Sequence, residues 1–213
     1  MCFSARTMPR PVLRRILKQD LPALYALYQK GGRDFAWASV ENLQMLFCGG
    51  RMWGIFCGDL LCVGGGICDA ALAMPLCDAF RLTGLVPPHA TLLLPPFFLC
   101  AEEMAADFFN FLAAQVSADT PLFCLIPVKS GKNCLVPLLS ARFVLTALRP
   151  LYELRPHYIF TLQAVKKLAN RSIIVTQTDT WTLSYLLENG YRGAVAAQQD
   201  GVPILYLEQD GKT

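Results

Sequence analysis

The side chains able to do chemistry in this 213-residue chain are few and scattered. Its two histidines, His89 and His157, stand far from each other and from any cysteine pair. Nine cysteines occupy positions 2, 48, 57, 62, 68, 77, 100, 124 and 134 at irregular gaps, with no Cys-x-x-Cys among them. A zinc site takes paired cysteines a few residues apart with His or Cys completing the set, so no metal is expected. Most of the thiols lie in apolar runs (55–63, 98–101 and 122–126), where free cysteine packs as a small hydrophobe. They read as reduced thiols in a reducing cytoplasm. Tyr152 is a phenol able to act as a general acid, and its plainer use is a hairpin residue with its ring on a sheet. Glu41, Glu102 and Glu103 are candidates to take a proton from an amine, set against the simpler reading as solvated helix residues. His157 follows an arginine and a proline in a strand, which favours a structural role. Gly64-Gly65-Gly66 has no following Gly-Lys-Ser/Thr and reads as a bulge or a close backbone contact rather than a phosphate loop.

Composition narrows the classes further. The chain is 54% hydrophobic and 16% charged, with a net charge of +3. That apolar content argues against disorder, and the near balance of charge, with no basic block, argues against nucleic acid as a partner. The longest apolar stretch, 85–101, holds Pro87, Pro88, Pro95 and Pro96, each of which would remove a helix hydrogen bond. It is no membrane span. Residues 1–17 carry four arginines and no continuous apolar stretch, unlike an export signal. The expectation is a cytoplasmic protein with no membrane partner.

The elements that must position any site follow from periodicity and punctuation. Residues 11–18 read as a strand. Asp20, with Pro22 behind it, reads as the cap of a helix ending at Gly31-Gly32, and a second helix runs from Ser39 to Gly49-Gly50. Apolar runs at 52–57 and 60–65 around Gly58-Asp59 form a hairpin. A loop of about twenty residues follows, since no periodicity marks 68–88. Residues 90–94 read as a buried strand ending at Pro95-Pro96, 102–116 as a helix, 122–128 as a strand, and 133–141 as a helix interrupted near Pro137. Strands are expected at 143–148 and 157–162. Beyond a basic connector (164–171), a strand at 173–176 leads to a helix at 180–188, capped by Thr178 or Asp179 and stopped by Asn189-Gly190. A hairpin, 192–197 with 203–208, turns at Asp200-Gly201. Phe97, Phe98, Phe108, Phe109 and Phe111 form a cluster that reads as core, or alternatively as a pocket for an apolar ligand or acyl chain.

This order, from residue 11 to about 162, resembles the GNAT superfamily of N-acetyltransferases. The stretch Leu13…Asp20-Leu21-Pro22-Ala23-Leu24 is similar to the family's first strand entering its first helix. Trp53-Gly54-Ile55-Phe56-Cys57-Gly58-Asp59-Leu60 resembles its central hairpin, and Arg142-Phe143 stands where many members have Gly-Phe. Tyr152 and His157-Tyr158-Ile159 resemble the last hairpin of some members. The resemblance implies an α+β fold in three layers, a mixed central sheet flanked by helices, here with an extra C-terminal α+β segment. It implies acetyl-CoA bound where the fourth and fifth strands part, held by Leu93 and Leu94, by Phe98, Leu99, Cys100 and Ala101 before the next helix, and by Asn133. The family's tyrosine general acid has no counterpart at Leu138-Leu139-Ser140; by its own chemistry Tyr152 is the candidate to donate a proton to the CoA thiolate. Family members write the diphosphate loop as Arg/Gln-x-x-Gly-x-Gly/Ala; this chain has Phe97-Phe98-Leu99-Cys100-Ala101 followed by Glu102-Glu103.

The leading expectation is therefore an acyl-CoA-dependent N-acyltransferase acting on a small-molecule or peptide amine, in a domain covering 1–163. A non-catalytic GNAT-like scaffold that has lost CoA is the alternative, and a binder of an apolar small molecule is a third reading. Residues 164–213 would form a helix-plus-hairpin extension that completes the sheet or contacts a second copy in a homodimer.

Overall fold

The computed structural model describes residues 10–31, 40–73, 84–87, 89–98, 102–129, 132–151, 154–162, 172–199 and 202–209. The chain enters through β1 (Pro11–Arg15), which pairs antiparallel with β2 (Arg51–Cys57). The basic residues of β1 are used on the spot: the Arg14 guanidinium lies 3.6 Å from the centre of the Phe56 ring. The same group donates to both carboxylate oxygens of Asp20 at 2.6 and 3.0 Å. Asp20 also accepts from the Leu17 N–H at 2.8 Å. It therefore does not cap the helix that follows, α1 (Leu21–Gly31); it closes a single 3-10 turn, Lys18–Asp20, ahead of it. A guanidinium in reach outcompetes a helix amide for the carboxylate because both partners carry full charge.

That pair has a pH signature. Arg14 and the Leu17 amide hold the Asp20 carboxyl below its ordinary value, whereas in the unfolded chain it titrates near ~4. Its stabilisation is present above that value and is lost as pH falls through the lower, folded value. Asp20→Asn should melt below the native protein at neutral pH, and the gap should close as pH falls below about 4, the unfolded value, and through the lower folded one. A gap in melting temperature that does not change with pH contradicts this.

After α2 (Val40–Gly49), β2 and β3 (Leu60–Asp69) form the expected hairpin, with Gly58 at φ 63° in its turn. One helical turn, α3 (Ala70–Ala73), occupies part of the stretch expected to be loop. Strand β4 (Thr91–Phe98) does not stop at its prolines. Leu94 pairs with Gly66 and Phe97 with Gly64, so the two residues Pro95 and Pro96 of β4 face the single Gly65 of β3. Proline has no N–H for a ladder and is admitted to strands at bulges, which is how β4 carries two of them. Helix α4 (Glu102–Ala113), β5 (Leu122–Pro127), α5 (Lys132–Ser140), β6 (Phe143–Leu151) and β7 (Arg155–Leu162) follow. Pro137 lies inside α5 without ending it.

The C-terminal segment adds β8 (Ser172–Thr176), α6 (Thr180–Glu188), β9 (Tyr191–Gln199) and β10 (Val202–Gln209). Asp179 caps α6, accepting from the Thr182 N–H at 3.1 Å, and Gly190 at φ 84° follows its end. All ten strands of the described residues join one sheet in the order β1-β2-β3-β4-β5-β7-β6-β9-β10-β8. Only β4 and β5 are parallel among the pairs with full register, as a helical crossover requires.

Two apolar layers cover the sheet. One face packs Leu24, Leu27 and Tyr28 of α1 and Leu43 and Leu46 of α2 over Leu125, Ala147 and Ile159. The other packs Phe108, Phe109 and Leu112 of α4, Leu135 and Leu138 of α5 and Leu183 and Leu187 of α6 over Cys124, Ile126, Leu145 and Phe160. Phe108 and Phe109 are fully buried, and Phe109 meets Phe143 edge-on at 6.3 Å, so this part of the phenylalanine cluster is core.

Candidate functional site

β4 and β5 share hydrogen-bonding register over only three residues: Thr91 with Leu122, Leu92 with Phe123 and Leu93 with Cys124. Beyond Leu93 each strand continues with a different neighbour. Leu94, Phe97 and Phe98 stay with β3, while Leu125, Ile126 and Pro127 stay with β7. The two strands thus part in the middle of the sheet, at the carboxyl ends where a parallel pair presents its connecting loops. The parting begins at Leu94, immediately ahead of the Pro95-Pro96 bulge. A bulge bends its strand and ends pairing locally, so the dipeptide and the opening belong together.

The expected site residues distribute unevenly around this opening. Leu93 and Leu94 sit at its apex, both fully buried. Phe98 is the last residue of β4, and Asn133 lies in the first turn of α5. Leu99, Cys100, Ala101 and Tyr152 lie outside the described residues. Pro95 and Pro96 bring no N–H and the Leu94 N–H, on the opposite side of the strand from that of Thr91, turns to β3, so the backbone donors of β4 past the apex are confined to Phe97 and Phe98.

His157 is buried at 4% exposure, and its Nδ1 lies 2.8 Å from the Arg155 carbonyl, which can only accept, so Nδ1 carries the proton in this bond. Glu41 and Glu103 are exposed on the first turns of α2 and α4. Gly64 lies under α1, where an added Cβ would come within 2.5 Å of Leu24, confirming a close contact. Burial pushes the thiols of Cys68 and Cys134 up to about 12 and that of Cys124 well up too. They are protonated at neutral pH and cannot serve as nucleophiles. Tyr158, a phenol beside the expected hairpin, is pushed up to about 12 by burial and donates to the Gln177 carbonyl at 3.2 Å, tying β7 to the C-terminal segment.

Sequence reasoning missed one feature. A cleft of about 500 Å³ opens at the carboxyl end of β5, lined by Pro127, Val128, Lys129, Arg155 and Pro156. Its lining joins Lys129, in the turn after β5, with Arg155, the first residue of β7, and only the pairing of β5 with β7 shows it. Among the described residues no helix is long and apolar enough to cross a membrane.

No protein-family model matches the sequence, and no curated protein matches it. Solved structures do. A GNAT-family acetyltransferase from Streptococcus agalactiae superposes with a TM-score of 0.53 over 75% of this chain and 99% of that one, at 9% identity. An N-acyl amino acid synthase from uncultured soil microbes gives 0.51 over 72% and 91%, at 20% identity. AAC(6')-Ib, in complex with paromomycin and acetyl-CoA, gives 0.52 over 72% and 93%, at 11% identity. The chain has the GNAT N-acetyltransferase fold.

Proposed function

We propose that this GNAT-fold chain is an acyl-CoA-dependent N-acyltransferase acting on an amine. The observation that supports the reading is the parting of β4 and β5 after Leu93 and Cys124, with both strands running on. Backbone N–H and C=O groups in a sheet need partners. A thin arm with amides of its own, such as the pantetheine of CoA, can supply them. Acyl-CoA brings an activated thioester. In this reading Leu93 and Leu94 hold the arm along β4, Phe98 to Ala101 and the start of α4 face the diphosphate, and Asn133 lies across the opening. On the β5 side of β4 the Leu93 N–H is the last donor before the prolines to polarise the acyl carbonyl, because the Leu94 N–H turns to β3 and Pro95 has none. Tyr152 is the proposed donor of a proton to the departing thiolate, and holding the two reactants together accounts for much of the rate.

The direct test incubates the protein with acetyl-CoA and a panel of amines and follows acylated amine and free CoA by mass spectrometry. One free CoA per acylated amine is expected. Thioester loss with no acylated amine contradicts the reading.

A second reading, a non-catalytic scaffold, draws support from the start of α4. Glu102 and Glu103 favour the helix, whose first turn carries positive partial charge, but they repel a diphosphate there. The two readings separate on Glu103→Gln. If CoA binds beside α4, removing this exposed carboxylate should tighten binding by about three-fold at low salt, and the gain should vanish near ~1 M salt. An unchanged affinity places the diphosphate elsewhere.

A further inference from the structure

We infer that Cys57 and Cys62 are a redox-active thiol pair, closed to a disulfide by exchange with a low-molecular-weight disulfide. The two flank the Gly58-Asp59 turn of the β2–β3 hairpin. Cys57 ends β2 opposite Leu60. Cys62 has no opposite residue of its own, because Leu61 faces Phe56 and Val63 faces Ile55. A regular ladder would set Cys62 across from Ile55; the bulge leaves it between Ile55 and Phe56, nearer to Cys57. Both side chains lie on the layer under α4, α5 and α6, where Cys62 is part of the core and Cys57 packs against it. The Cys62 thiol donates to the Leu60 carbonyl at 3.7 Å. Its sulfur meets the Cys57 N–H and shares a hydrogen bond with the Cys57 thiol. Two sulfurs in contact on one face of a hairpin are the arrangement from which a disulfide closes, because the bond needs near and convergent side chains.

The other described thiols lack this setting. Cys68, Cys124 and Cys134 are buried, and the exposed Cys48 stands on α2, over the opposite face of the sheet. Cys57 is half-buried, whereas Cys62 is 7% exposed. Cys57 is thus the thiol a small oxidant reaches, with Cys62 behind it. Burial first, and then Cys57 beside it, push the Cys62 thiol up, which makes its thiolate the slower of the two steps. In the first step the Cys57 thiolate attacks one sulfur of the small disulfide. A mixed disulfide forms at Cys57, and the other half leaves and takes up the proton that Cys57 lost. The Cys62 thiolate then attacks the Cys57 sulfur, displacing the second half, which leaves with the proton of Cys62. Two electrons pass from the pair, and the small disulfide is reduced to two thiols. Among the described residues no three Cys, His, Asp or Glu side chains are placed to hold a metal, so the pair does not read as half of such a site.

The test incubates the folded full-length protein with oxidised glutathione, quenches in acid, alkylates free thiols and cleaves the chain ahead of Asp59. That cut separates the two cysteines unless they are bonded. The expected product is a pair of joined fragments, about 2 Da lighter than the reduced pair, with the bond placed between Cys57 and Cys62 by tandem mass spectrometry. Dithiothreitol should separate them again. Cys62→Ser should stop at the first step, with one glutathione held on Cys57, and Cys57→Ser should leave Cys62 unmodified. Both cysteines alkylated in the native protein, or a glutathione adduct on Cys57 that persists with Cys62 present, overturns the inference. So does a bond that forms only in urea, where every thiol is exposed.

Discussion

Deleting residues 164–213 should leave a protein that no longer unfolds cooperatively. The segment reads as an appendix to the acyltransferase fold, yet its side chains are built into one of the two main cores. Val175, Leu183, Leu186, Leu187, Leu205 and Leu207 are all buried there with Phe143, Leu145 and Tyr158. Strand β9 crosses β6 so closely that an added Cβ on Gly193 would stand 3.0 Å from Leu145. Removing the segment exposes the side chains of β6 and α5 that face it and uncovers the β6 edge. If about four leucine-sized groups become wet at ~1.5–3 kcal/mol each, the loss is roughly 6–12 kcal/mol. That is comparable to the whole stability of a typical domain, about 5–15 kcal/mol. The buried Tyr158 hydroxyl also loses Gln177. Thermal and urea unfolding of the 1–163 fragment beside the full chain decides the matter. A fragment that melts sharply at the full-length temperature would show that the segment is peripheral.

The second large effect is expected at Gly66. Its added Cβ would stand 2.5 Å from the Arg51 carbonyl oxygen and 3.0 Å from the Met52 Cα, both backbone atoms that cannot turn aside. Gly66 pairs with Met52 on one side and Leu94 on the other, the last register before the proline bulge. Gly66→Ala must force β2 from β3 or shift β4, and the upper end of overpacking costs, ~3 kcal/mol, is the expected loss. A lower urea midpoint with an unchanged m-value would report this as native-state strain. The same shift moves the apex at Leu94, so CoA affinity in the surviving folded protein should fall as well. A variant as stable as the native chain contradicts the packing described for β2, β3 and β4.

Where punctuation and charge were local, the sequence could be read directly. Gly58-Asp59 marks the β2–β3 turn because its backbone needs a positive φ, and the Asp179 cap with Asn189-Gly190 frames α6 for the same kind of reason. Long-range causes were hidden. Asp20 has the sequence position of a cap, but Arg14 six residues earlier claims it. Pro95-Pro96 reads as a strand end because proline removes ladder donors, and only the partner Gly64–Gly66 segment shows that β4 continues through a bulge. Four residues, three alanines and Leu72, are too few to announce α3 by periodicity. Arg142 stands at φ 66° where the family resemblance expects glycine, so the backbone of the motif is kept while its residue is not. Of the site, the position of the strand opening was legible only through the family resemblance that the element order carries. The cleft of Lys129 and Arg155 was not, since it depends on which strand lies beside β5.

The central claim is that the opening between β4 and β5 holds an acyl-CoA, and a calorimetric titration tests it most directly. Acetyl-CoA and CoA are titrated separately into the full-length protein, with a synthetic pantetheine fragment as a third ligand. Saturable, micromolar binding of both CoA species is expected, with the fragment binding more weakly and its heat lost in Gly66→Ala. No heat at millimolar acetyl-CoA or CoA would contradict the account and leave a GNAT-shaped scaffold.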